Sequence, residues 1–126
     1  MSYIKHRADE SLEDYLETIL LLQKRMGQVR SIDIANEMNY TKPSVSVAMK
    51  NLREKEYIVV ADNGYISMTE KGRERAESVL ERHNLLADLL MRIGVSKETA
   101  LADACRIEHD LSEESFDAIK RFHLSH

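Results

Sequence analysis

Residues 31–69, "SIDIANEMNYTKPSVSVAMKNLREKEYIVVADNGYISMT", decide the fold. Ser31 reads as the cap of a short helix, with Ile32, Ile34, Ala35 and Met38 available for a core. The turn Asn39-Tyr40-Thr41 follows, and a second helix starts at Lys42. Thr41 suits its N-cap, and Pro43 is tolerated in its first turn. Val45, Ala48, Met49 and Leu52 form the inward stripe of this helix, while Ser44, Ser46, Val47, Lys50 and Asn51 lie off it. Two β-prone runs, Tyr57–Val60 and Tyr65–Met68, then flank Asp62-Asn63-Gly64. That tripeptide favours a hairpin because Asn and Gly tolerate positive φ. Helix, tight turn, helix and two-stranded hairpin make the winged helix–turn–helix layout. In it the second helix enters the major groove and the hairpin lies beside it on the backbone.

Working outward, Ser11 to about Met26 has the stripe Leu12, Tyr15, Leu16, Ile19 and Leu20 of an amphipathic helix, closed by Gly27. On the other side, Thr69 caps a long helix running to about Ile93, with Gly94 beyond it. Ser96 caps another, Lys97 to about Asp110. Ser112 opens a last one with apolar Phe116, Ile119 and Phe122. The expected fold class is mainly α with a small β-hairpin wing. The expected domains are a winged helix–turn–helix DNA-binding domain, 1–71, and a helical metal-binding and dimerisation domain, 72–126.

The chain has 126 residues, 43% hydrophobic and 32% charged, as in ordinary globular proteins. Its single cysteine forms no internal disulfide and suits a reducing compartment. The polar start "MSYIKHRADE" lacks a signal-peptide core, and no apolar run approaches membrane-spanning length, so a cytoplasmic location and no membrane partner are expected. The net charge of −4 is unevenly spread. Between Gln23 and Lys55 seven basic residues stand against three acidic ones. Such a local basic patch can meet DNA phosphate even on an acidic chain.

The candidate DNA-binding residues are Arg30, Thr41, Lys42, Pro43, Ser44, Ser46, Val47, Lys50 and Asn51. Small hydroxyls and one methyl-bearing side chain read bases weakly. No Arg or Gln stands where a bidentate base contact belongs. Phosphate contacts, apolar contact with thymine methyls and shape readout therefore carry more of the expected recognition. A winged helix can also serve protein contacts, and the salt dependence of DNA affinity separates the two uses.

The stretch "ACRIEHDL", 104–111, spaces Cys105, Glu108 and His109 at i, i+3 and i+4, one face of a helix. Cys105 alone reads equally as a packed residue. Asp14 and Glu17 are i, i+3 on the first helix, opposite its apolar stripe. Alone they read as solvated acids, or as Asp14 closing a capping box with Ser11. His83, alone, reads as a surface or satisfied histidine. Together these six residues offer carboxylates, imidazoles and one thiolate, a set that suits Mn²⁺, Fe²⁺, Co²⁺ or Zn²⁺ better than Ca²⁺ or Mg²⁺. No HExxH motif, nucleophile with a paired base or phosphate-cradling Gly loop argues for an enzyme.

With "EDYLETI", "DIANEMNYTKPSVS", "MTEKG", "ERHNLLADLL" and "ACRIEHDLS" in this order, nearly the whole chain resembles the diphtheria-toxin-repressor family of metal-dependent transcriptional regulators. The resemblance implies a homodimer that binds a double-stranded DNA operator, with Leu85, Leu86, Leu89, Leu90, Phe116 and Ile119 as candidate dimer contacts. It implies metal ligands at Asp14, Glu17, His83, Cys105, Glu108 and His109, between the first helix and the dimerisation region. The cofactor is expected to be Mn²⁺ or Fe²⁺, with Co²⁺ or Zn²⁺ substituting in vitro. The short architecture, Asp14, Glu17 and His83 resemble the manganese-transport-regulator branch, which has Glu at position 105. Cys105 resembles the iron-responsive branch. That branch has Met in place of Asp14, and an acid and a histidine where Ala87 and Leu101 stand. The expected function is a metal-dependent transcriptional regulator, a repressor of metal-uptake genes. The alternative is a metal-independent winged-helix regulator answering to another ligand.

Overall fold

A computed structural model describes residues 2–126, with side chains described from Ser11 onward. Six helices and two strands follow one another: α1 (Ser2–Met26), α2 (Ser31–Met38), α3 (Lys42–Glu54), β1 (Ile58–Val60), β2 (Ile66–Met68), α4 (Glu70–Arg92), α5 (Lys97–Ile107) and α6 (Glu113–Ser125). They group into two compact units. One is Arg7–Glu77; the other is Ser78–His126 with the first residues of α1.

In the first unit, Leu16, Ile19, Leu20 and Leu22 of α1, Ile34 and Ala35 of α2, and Val45, Met49 and Leu52 of α3 are buried. The expected stripes of α1 and α3 therefore hold. α1 begins at Ser2 rather than Ser11, so Ser11 is an interior residue and its capping box with Asp14 does not exist. α2 is capped differently from the sequence expectation too. Arg30 occupies the N-cap and Ser31 is the first helical residue. The Asp33 carboxylate reaches back to accept the Arg30 backbone N–H at 2.9 Å. An acid at this third position satisfies a terminal donor and opposes the helix dipole. Ile32 is 40% exposed, outside the core.

The helix–turn–helix corner turns on Asn39, the C-cap of α2, in the left-handed region at φ 57°. Asn tolerates this conformation better than most side chains. Thr41 caps α3 as expected, its hydroxyl accepting the Ser44 N–H. β1 and β2 pair antiparallel, with Val59 opposite Ser67. Gly64 N–H donates to Ala61 O at 2.8 Å, and Gly64 takes φ 89°. A turn followed by a left-handed glycine is a common three-residue hairpin loop. The hairpin is tied down by Ile66 N–H donating to Val29 O (2.8 Å) and by Gln23 Nε2 donating to Ile66 O (3.1 Å).

In the second unit, Leu86, Ala87 and Ala104 form a core against which Leu111 and Ile119 pack. Leu86 and Phe116, expected at a dimer surface, are 2% and 4% exposed and belong to this unit's own interior. Met91, Ile93, Phe122 and Leu124 are the exposed large apolar side chains of α4's end and α6. Phe122, one of the three apolar positions read on α6, is among them. His123 is buried instead. Its Nε2 contacts Asp88 Oδ2 at 2.6 Å, and Arg92 Nη1 donates to its Nδ1 (2.9 Å) and carbonyl (3.0 Å). Ser96 and Ser112 cap α5 and α6 as expected. No helix among the described residues is long and apolar enough to cross a membrane.

Candidate metal centre and nucleic-acid face

Four of the six candidate ligands lie in the second unit. α5 ends at Ile107 rather than near Asp110, with Glu108 as its C-cap at φ −59°, ψ −28°. Glu108 N–H still donates to Ala104 O, and Asp110 N–H donates to Ile107 O. The last turn tightens, and His109 is placed by that turn rather than by a continuing helix. Glu108 is 1% exposed. Its Oε2 accepts from His83 Nδ1 at 2.9 Å, and its Oε1 lies 3.3 Å from His109 Nε2. Cys105, one turn earlier, is exposed.

Arg82, which the sequence reading missed, holds this turn. Its Nη1 donates to Glu108 O at 3.1 Å and Leu111 O at 2.7 Å, and its guanidinium lies over the Phe116 ring. A basic side chain on the last carbonyls of a helix satisfies acceptors that have no intrahelical partner. Consecutive residues of α4 thus grip Glu108 twice, Arg82 by its backbone and His83 by its carboxylate.

Burial, and after it the charge of the neighbouring His109 ring, push the His83 pKa below its ordinary value. A neutral His83 donating Nδ1–H to Glu108 keeps its lone pair on Nε2, the state a metal ion requires. The sign for stability follows. At His83 the folded state binds fewer protons than the unfolded chain as pH falls through about 6.5, so this group's contribution to stability is lost on acidification. Thermal unfolding in metal-free buffer between about pH 8 and about pH 5 checks this. Wild type is expected to lose midpoint more steeply than His83→Gln; an equally steep loss in both would contradict the lowered His83 pKa.

Asp14 and Glu17 lie in the first unit, one turn apart on α1, and both are half-buried. Thr18 Oγ1 donates to Asp14 O, within the helix. Ala87, where the iron-responsive branch has an acid, is 3% exposed and part of the core. Leu101 is exposed.

All nine candidate DNA-binding residues, Arg30, Thr41, Lys42, Pro43, Ser44, Ser46, Val47, Lys50 and Asn51, are exposed. Val47 is 61% exposed on α3, an uncovered apolar side chain of the size that meets a thymine methyl. The Ser44 hydroxyl is engaged in the cap, accepting from Thr41 Oγ1 at 2.9 Å. Tyr40, at the helix–turn–helix corner, was not singled out in the sequence. It is half exposed and packs edge-on against Tyr15, ring centroids 5.9 Å apart.

A recognition helix with its wing, followed by a helical unit that encloses a carboxylate between two imidazoles, defines a metal-responsive winged-helix transcriptional regulator. Residues 9–66 match the iron dependent repressor N-terminal DNA binding domain, and residues 69–124 match the iron dependent repressor metal binding and dimerisation domain. The chain belongs to this family of iron-dependent, diphtheria-toxin-type repressors. It is 37% identical over 109 residues to the HTH-type transcriptional regulator MntR of Geobacillus kaustophilus, covering 86% of this chain and 77% of that one. Among solved structures, IdeR of T. acidophilum is 29% identical with a TM-score of 0.74, and the manganese regulator SloR is 26% identical with a TM-score of 0.78. These alignments cover 87% and 88% of this chain but 53% and 52% of the solved chains, so the chain spans about half their length. Members of the family are metal-dependent transcriptional regulators, not enzymes. They bind DNA through the first domain, and metal and a second subunit through the other. Regulators of this type take Mn²⁺ or Fe²⁺.

Proposed function

We propose that this chain is a homodimeric, metal-activated repressor of metal-uptake genes. Residues 1–71 read a double-stranded DNA operator; residues 72–126 bind metal and dimerise. The observation that carries the reading is the Glu108 carboxylate, its side chain fully buried, in contact with both His83 and His109. A carboxylate and two imidazoles are a fitting donor set for a borderline divalent ion. Cys105, one turn before Glu108, and Asp14 and Glu17 of α1 complete the ligand set in this reading. The family resemblance and the i, i+3 spacing of the two acids support their inclusion.

When bound, a divalent cation supplies the positive charge that lets three carboxylates and a thiolate share one place. Without it, the close approach of Asp14, Glu17, Cys105 and Glu108 is disfavoured by their like charge. α1, which belongs to the DNA-reading part, is then held less firmly. With the ligands drawn together, the two recognition helices of the dimer keep the separation that half-sites about a helical turn apart demand. The ligand residues shift the population only as far as they bind the ion better in the DNA-competent state. Hard carboxylates suit Mn²⁺, whereas the Cys105 thiolate favours Fe²⁺, Co²⁺ or Zn²⁺. On the DNA side, Thr41, Lys42, Pro43, Ser44, Ser46, Val47, Lys50 and Asn51 of the α3 region meet the major groove, and Arg30 meets backbone phosphate.

Lys50→Ala separates the two tasks. It is expected to weaken DNA binding, to lower the salt slope by about one per chain, and to leave Mn²⁺ affinity unchanged. Asp14→Ala and His109→Ala should do the reverse, losing metal-stimulated binding in folded protein. DNA binding that keeps its metal dependence in those two variants would contradict the ligand set.

A further inference from the structure

The Arg30 guanidinium lies over the Tyr65 ring, 4.3 Å from its centroid. Arg30 stands just before α2 in extended backbone, φ −118°, ψ 167°. Tyr65 stands just before β2, on the wing. The Arg30 stem crosses the hairpin turn, where a Cβ built on Gly64 would sit 3.8 Å from its Cδ and Nε. The main chain is held at both residues. Arg30 N–H donates to Asp33 Oδ2 at 2.9 Å, and Tyr65 N–H donates to Asn63 Oδ1 at 3.1 Å. The neighbouring residues, Val29 and Ile66, are joined by a 2.8 Å hydrogen bond. Wing and α2 start are therefore one mechanically joined piece.

Stacking occupies the face of a guanidinium and leaves its N–H donors pointing outward in its plane. Among the described residues no carboxylate ion pair engages Arg30. A planar fork held edge-out matches a phosphate bidentately, and a side chain already fixed loses less freedom on binding. We propose that Tyr65 is a positioning residue for DNA binding: its ring holds Arg30 edge-out, so that the wing and the start of α2 together grip a backbone phosphate beside the recognition helix. This rests on the DNA-binding face described above. Lysine cannot replace Arg30 here, because an ammonium offers neither a planar fork nor a stackable face.

The test is a fluorescence-anisotropy titration of Mn²⁺-saturated protein with a mixed-sequence duplex about three helical turns long, repeated across salt concentrations. Phosphate contacts are sequence-independent, so no operator is needed. Arg30→Ala is expected to lower the salt slope by about one per chain. Tyr65→Ala is expected to weaken binding about 2- to 5-fold, the scale of an exposed cation–π contact. Combining the two should weaken binding no further than Arg30→Ala alone, and Tyr65→Phe, which keeps the ring, should restore affinity. Equal weakening by Tyr65→Ala with and without Arg30 overturns the proposal, as does Tyr65→Phe as weak as Tyr65→Ala. Should thermal unfolding show Tyr65→Ala unfolded, Arg30→Lys decides: weakening supports the stacked fork, and wild-type affinity overturns it. Lys50→Ala, run alongside, separates the failures. If it weakens binding while the Arg30 and Tyr65 variants do not, only the positioning role falls. If it too is silent, the DNA-binding face itself is misassigned.

Discussion

Glu108→Ala is expected to abolish metal-stimulated DNA binding in a protein that still folds. The Glu108 side chain is fully buried and contacts both His83 and His109. Removing it takes away the carboxylate held between His83 and His109, and with it the acceptor for His83 Nδ1. Partners that merely support metal ligands change affinity by about 10–100-fold when lost, so a central ligand should cost at least that. The folding penalty is smaller. A half-buried imidazole donor left without its acceptor costs at most about 1–3 kcal/mol, against a typical domain stability of about 5–15 kcal/mol. Arg82 bonds to the backbone carbonyl of Glu108, so its grip on the turn survives the substitution. Glu108→Gln, which keeps the volume and loses the charge, should lose metal affinity with less loss of stability. Mn²⁺ affinity by competition with a fluorescent chelator, with thermal unfolding alongside, checks both halves.

Gly72→Ala is expected to destabilise the winged-helix unit by about 1–3 kcal/mol or more, the usual range for overpacking. In a helix, exchanging Gly for Ala ordinarily stabilises by about 1 kcal/mol. The sign reverses here because α4 starts against the backbone of Tyr57. A Cβ on Gly72 would run into Tyr57 O and lie 2.9 Å from Tyr57 C. Backbone atoms cannot swing aside as a side chain can. The Tyr57 carbonyl is also held, accepting Thr69 N–H at 3.0 Å. Thr69 Oγ1 in turn donates to Glu56 O and accepts Gly72 N–H, locking the same corner. For a unit the size of Arg7–Glu77 each kcal/mol moves the unfolding midpoint by about 4–8 °C, so the drop is readily measured. A midpoint that rises would show that the helix start stands off from Tyr57.

The winged helix was legible because each element carries its own local signal. α3 has a 3.6-residue stripe and a Thr cap, and Asp62-Asn63-Gly64 has turn chemistry that only a hairpin uses well. Arg30 as N-cap was not legible, since Ser31 has the better propensity. Asp33's reach back to the Arg30 N–H overrode it. Glu108 and His109 were singled out by spacing, and the tightened turn keeps their side chains close although the helix stops between Cys105 and His109. Asp14, Glu17 and His83 are each ordinary by themselves; they entered the candidate set only as part of the six-residue group, which the family resemblance then reinforced. Arg82 left no pattern at all: its partners are backbone carbonyls twenty-six and twenty-nine residues away. Leu86 and Phe116 show the limit of apolar periodicity, which marks a buried face without saying whether the same chain or a second one covers it.

The most direct test follows DNA binding as metal is added and then withdrawn. An operator selected from a random-sequence duplex library with the Mn²⁺-loaded protein is titrated anaerobically, under reducing conditions that protect Cys105. Mn²⁺ or Fe²⁺ is supplied first, and a chelator afterwards. Affinity is predicted to rise with the metal, to fall back on chelation, and to show neither change in Glu108→Ala. Tight operator binding that ignores both metal and chelator would contradict the account, and would point to a winged-helix regulator answering to some other ligand.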